Sequence, residues 1–140
     1  MQEGVINFSR MAFASYLASG NPAERRSDRS LYRCKGGGPN DYCFVPASSA
    51  SNEQWRHLLR AIGRHDLIDD PRFASPQQRV RHNDEIDTML SAWCNERTKV
   101  EAMDTLQGAG MPAGAVFDTQ ELSADPHLRQ RGMFATIDHP

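Results

Sequence analysis

Several things are scarce in this chain, and each shortage removes a class of protein. Cysteine appears three times in 140 residues, as Cys34, Cys43 and Cys94, an odd count with no metal-ligand spacing. That argues against a disulfide framework or a zinc knuckle and fits reduced thiols in a cytoplasmic protein. No uninterrupted apolar run approaches the ~20 residues that cross a bilayer. A basic segment followed by an apolar stretch is missing from the first residues, which include Glu3, so the expectation is no secretory signal. An excess of one charge is missing too: 16 Lys and Arg face 18 Asp and Glu, for a net charge of -2. Such a balance gives no electrostatic reason to bind nucleic acid or an anionic membrane. No repeat of fixed period is visible.

What remains is the composition of a globular domain, with 39% hydrophobic and 24% charged residues. The length suits one domain with a real core. Val5, Ile6, Phe8, Met11, Phe13, Tyr16 and Leu17 place apolar side chains around much of a helix over residues 4–19, which asks for burial on more than one side. Residues 20–30 read as a polar, basic loop. Residues 31–35 and 41–45 read as two short strands, with Gly36, Gly37, Gly38, Pro39 and Asn40 as the hairpin connection. Ser51 and Gln54 spell a capping box, and Trp55, Leu58, Leu59 and Ile62 then share one helical face that ends at Gly63. Pro71 and Pro76 punctuate a connector around Phe73. A helix follows Asn83 with Ile86, Met89, Leu90, Trp93 and Cys94 on one side. Thr98 and Glu101 open another, which ends at Gly108 and Gly110. A strand over 113–117, short helices over 118–124 and from Pro126, and a last strand over 133–137 complete the reading. The expected fold class is α+β, with helices packed on a small, mostly antiparallel sheet.

Few residues suggest chemistry unaided. The three glycines lack the Lys-Ser or Lys-Thr of a phosphate loop and open no helix, so a hairpin turn explains them better. His57, His65, His82, His127 and His139 form no metal pair and read as surface residues. Arg25, Arg26 and Arg29 could fork onto a phosphate or carboxylate, but Glu24 and Asp28 dilute their field and a solvated loop is the plainer account. Asp84, Glu85 and Asp87 read as first-turn acids favoured by the helix dipole.

Longer strings resemble the family III CoA-transferases, the group of formyl-CoA transferase, carnitine CoA-transferase and the acyl-CoA racemases (CaiB/BaiF). They are Met1-Gln2-Glu3-Gly4-Val5-Ile6-Asn7, the hairpin from Cys34 to Tyr42, Trp55 through Gly63, and Asp70-Pro71-Arg72-Phe73. The run from Gly110 to Val116, then Asp125-Pro126-His127-Leu128 and Arg131-Gly132-Met133, extends the likeness in order along the chain. The resemblance implies the smaller domain of such an enzyme over residues 31–140. Residues 1–30 would form the helix and loop leading in from a larger, Rossmann-like, CoA-binding domain that this sequence does not match.

The family reaction moves CoA between carboxylates. A carboxylate nucleophile attacks the acyl-CoA thioester, a mixed anhydride and then an enzyme–CoA thioester form, and the acceptor acid takes the CoA. By resemblance, Glu3 stands where the family's nucleophilic aspartate enters, with one methylene more. Gly20 and Asn21 stand where a glycine-rich lid would fall, and are its candidate CoA-contacting remnant. Coenzyme A is expected as a substrate rather than a covalently held cofactor, with no metal and little CoA binding by this chain alone. The expected partner is a separately encoded large domain or a second copy. The alternative is a non-catalytic, self-associating or partner-binding domain derived from the same family.

Overall fold

The computed structural model describes residues 16–18, 20 and 30–135. Two strands open the described body, β1 (Leu31–Arg33) and β2 (Tyr42–Phe44). They pair antiparallel with Leu31 opposite Phe44, Tyr32 opposite Cys43 and Arg33 opposite Tyr42. Hydrogen bonds from Cys34 N–H to Asp41 O and from Val45 N–H to Ser30 O extend the ladder at both ends. The glycines between the strands build the turn, as the sequence suggests. Gly36 sits at φ +124° and Gly37 at +76°, which disfavour side chains. The Asp41 carboxylate folds back to accept from Gly38 N–H at 2.7 Å. A Cβ on Gly36 would stand 2.5 Å from Asp41 Oδ2 and would push that carboxylate from its place under the turn.

Helix α1 (Asn52–Ala61) begins at the expected capping box. Ser51 Oγ accepts from Gln54 N–H at 3.2 Å, and Gln54 Oε1 accepts from Ser51 N–H at 2.9 Å. It ends where Gly63 turns to φ +75°, with Gly63 N–H donating to Arg60 O and Arg64 N–H to Leu59 O. This pair of bonds is the Schellman arrangement, which satisfies carbonyls the helix end leaves open. The proline-marked connector is more ordered than a linker. It holds 3-10 turns at His65–Leu67 and Pro71–Phe73 and a short helix α2 (Pro76–Arg81). Asp70 and Ser75 cap those last two segments, and each proline occupies a first helical turn that needs no N–H.

Helices α3 (Asn83–Asn95) and α4 (Lys99–Gly108) follow. The Thr98–Glu101 capping box is formed in both directions, at 3.2 and 2.8 Å. Gly110, at φ +81°, closes α4 with a second Schellman pair that brings buried Met111 back over buried Leu106. Strand β3 is shorter than the expected 113–117, only Gly114–Ala115, and pairs with β2 antiparallel, so the sheet order is β1-β2-β3. Helices α5 (Thr119–Ala124) and α6 (Pro126–Gln130) come last.

The final strand expected over 133–137 is corrected for its described part. Residues 133–135 belong to no strand. Gly132 at φ +68° donates to Arg129 O and Met133 N–H to Leu128 O, so Met133 is spent on closing α6. Residues 136 and 137, and residues 4–15 and 19 of the helix read over 4–19, lie outside the described residues, while residues 16–18 of it are helical.

The core lies between the sheet and the helices. α3 packs on β1, and α4 on β2 and β3. Tyr32 and Cys43 face inward to meet Trp55, Leu58, Leu59, Ile86, Leu90, Trp93, Leu106 and Met111. Tyr32 Oη donates to Asp87 Oδ1 at 2.8 Å, pinning β1 to α3. No described helix is long and apolar enough to cross a membrane.

Candidate functional site

The sequence's candidate residues scatter in the fold. Glu3 and Asn21 lie outside the described residues, as do Arg25, Arg26 and Arg29. Gly20 is described and exposed. Its φ is +72° and its N–H donates to Tyr16 O at 2.8 Å, the pattern of a glycine that ends a helix. The acids of α3 do not converge. Asp87 sits in the second turn, where it accepts from Tyr32 and from Asn83 Nδ2 at 2.9 Å. Glu85 pairs with Arg72 and His82. Among the described residues no group of three or more His, Cys, Asp or Glu is placed to hold a metal ion.

The three cysteines, far apart in sequence, do meet. Cys34, Cys43 and Cys94 are all buried and unpaired by disulfide, and the Cys34 and Cys94 side chains are hydrogen-bonded. Burial raises all three thiol pKa values, Cys43 to about 11 and Cys94 to about 12. Thiols so far from thiolate are poor nucleophiles at neutral pH.

Two buried cations form the sites that sequence reasoning missed. Lys99, at the first position of α4, is only 7% exposed. Its Nζ lies 2.6 Å from Glu121 Oε1 and donates to Val116 O at 2.9 Å and Asn40 O at 3.4 Å. One ammonium thus ties the hairpin turn, the exit of β3 and α5 together. A local signal existed: a lysine at a helix start opposes the dipole and asks for a reason.

Arg79 of α2 is fully buried. Its guanidinium donates to Ala50 O at 2.5 Å, Phe73 O at 2.9 Å and Asn52 Oδ1 at 3.1 Å, and lies 5.3 Å from the Trp55 ring centroid. Every one of those acceptors is neutral. Burial alone lowers its pKa. Beside it, α1 and the Pro71–Phe73 turn enclose an open cavity of about 180 Å³, walled by Trp55, Phe73 and Ile68 and rimmed by Asn52, Arg56 and Asp69. The Trp55 and Phe73 rings stand 5.5 Å apart, tilted by 38°. Nothing in the 3.6-residue periodicity marks Arg79 as an inside residue, because α2 has only six residues.

The profile of CoA-transferase family III matches residues 1–140, the whole chain. The chain belongs to CoA-transferase family III. It is 32% identical to a "Probable CoA-transferase" of Mycobacterium tuberculosis over 99% of its own length, but spans 17% of that protein. It is 30% identical to a formyl-CoA:oxalate CoA-transferase of Streptomyces avermitilis over 87% of its length and 29% of that enzyme's. A solved CaiB/BaiF family protein from Brucella suis superposes with a TM-score of 0.72 at 23% identity, over 89% of this chain and 33% of that one. The last likeness supports the fold: family III helices on a small antiparallel sheet. The chain therefore spans about a third or less of these family III relatives.

Proposed function

We propose that this chain is the smaller domain of an acyl-CoA:carboxylate CoA-transferase, acting only with a large CoA-binding domain. One observation carries the reading: the family profile covers all 140 residues, while the chain spans 17% and 29% of two relatives named as CoA-transferases. Buried Lys99 supports it from the structural side. Its ammonium is spent on the Val116 carbonyl and the Glu121 carboxylate, as a scaffold residue's is, and the raised thiols leave no cysteine nucleophile in the described body. CoA is then a substrate, brought by the other domain. Residues 1–30 are the lead-in and 31–140 the smaller domain, with Glu3 as the candidate nucleophile and Gly20 and Asn21 as the candidate CoA-contacting lid remnant.

Mixing the chain with a family large domain and assaying CoA transfer to a carboxylate tests this. Transfer that needs both parts and disappears in Glu3→Ala supports the whole proposal. Transfer that survives Glu3→Ala keeps the domain reading and removes Glu3 from the mechanism. Full transfer by the chain alone refutes the dependence on a large domain. A second reading, a partner-binding domain without catalysis, draws on the outer sheet face. There the cross-strand pair Leu31 and Phe44 is 42% and 40% exposed, apolar where a solvated sheet face is usually polar. It predicts association without any transfer.

A further inference from the structure

We infer that the cavity beside Trp55 and Arg79 is a binding site for a small organic carboxylate with a short apolar body. Trp55 and Arg79 both line it, and their buried donors Trp55 Nε1 and Arg79 Nε have no hydrogen-bond partner among the described residues. Buried polar groups are normally paired, so two orphans on side chains in contact call for an acceptor. The charge points the same way. Among the described residues no carboxylate pairs with Arg79, whose other donors all go to neutral oxygens. A buried guanidinium without a counter-ion favours an anion over a neutral acceptor, and its planar fork suits a carboxylate.

The walls set the rest of the ligand. Trp55, Phe73 and Ile68 supply apolar surface, and exposed Arg56 adds positive charge at the mouth. Of the two acids there, Asp70 is already paired with Arg72 at 2.7 Å and exposed Asp69 offsets exposed Arg56, so the buried Arg79 guanidinium is the charge left to be matched. The volume of about 180 Å³ matches a body of benzene size, since an apolar cavity of about 150 Å³ takes benzene. Asn52 is the gate. It is exposed, and its Oδ1 holds Arg79 Nη1 at 3.1 Å, the acceptor position a ligand oxygen would take over.

Titrating the full chain with sodium benzoate by calorimetry, with tryptophan emission read in parallel, tests the site. Benzoate binds, and the neutral isostere benzamide binds roughly tenfold more weakly or worse, because the charge-assisted bond is lost. Trp55→Phe keeps an aromatic wall, removes the indole donor, and weakens benzoate roughly tenfold. Asn52→Ala, which removes the competing acceptor, tightens it. Circular dichroism confirms that both variants fold. No benzoate heat from the folded chain overturns the inference. So does equal affinity for benzamide, or a benzoate affinity indifferent to Trp55→Phe. None of these outcomes bears on the CoA-transferase reading, which rests on other residues.

Discussion

Cys34 and Cys43 lie far along the sequence from Cys94, yet all three share one patch of core between sheet and α3. Their protons are held more tightly in the folded chain than in the unfolded one, because burial penalises each thiolate. From the ordinary 9.0 upward, the unfolded chain loses thiol protons that the folded chain keeps, Cys43 until about 11 and Cys94 until about 12. Their contribution to stability is thus whole below pH 9.0 and shrinks as pH climbs towards those values. Thermal unfolding followed across that range shows a falling midpoint. A thiol reagent at neutral pH leaves all three cysteines unlabelled until denaturant is added. Rapid labelling of the native chain would contradict the burial.

The helices are specified at their ends more than along their faces. Capping boxes at Ser51–Gln54, Thr98–Glu101 and Asp118–Glu121 start α1, α4 and α5, and positive-φ glycines at 63, 110 and 132 close α1, α4 and α6. The carboxyl of Glu101 is held below its usual pKa by the Thr98 backbone N–H first and the Thr98 hydroxyl second. Thr98→Ala therefore removes one side of a reciprocal cap and costs about 1 kcal/mol, read from chemical denaturation. Thr98→Ser keeps the hydroxyl and returns most of it. The first two boxes and the glycines at 63 and 110 were legible because capping is local: the partners sit a few residues apart. Residues 133–135 misled for the complementary reason. Their β-like composition is real, but Met133 is already committed to the α6 terminus by a bond to Leu128 O.

At the scale of the whole molecule, Lys99 joins pieces of chain that only the fold brings together. Its ammonium meets Asn40, Val116 and Glu121. Lys99→Met keeps the stem but strands Val116 O and leaves the Glu121 carboxylate with only its bond from Asp118 N–H. Since Glu121 is 37% exposed and partly rescued by water, the expected cost is about 2 kcal/mol rather than that of a sealed ion pair. Hydrogen exchange should quicken in α5 and around β3 while α1 keeps its protection. Uniform quickening would mean that Lys99 holds the core as a whole.

The sequence by itself determined the α+β class, the hairpin, the main helices with their caps, and the family. Those follow from local bonds, from periodicity, and from strings that keep their order. Tertiary structure alone decided that three distant thiols share a core, that Arg79 and Lys99 turn inward, and that a cavity opens beside Trp55. The reason is physical. A cap is a contact across three residues, whereas Arg79 reaches Ala50 across 29 and Lys99 reaches Asn40 across 59. No periodicity encodes which distant carbonyl a buried cation will find.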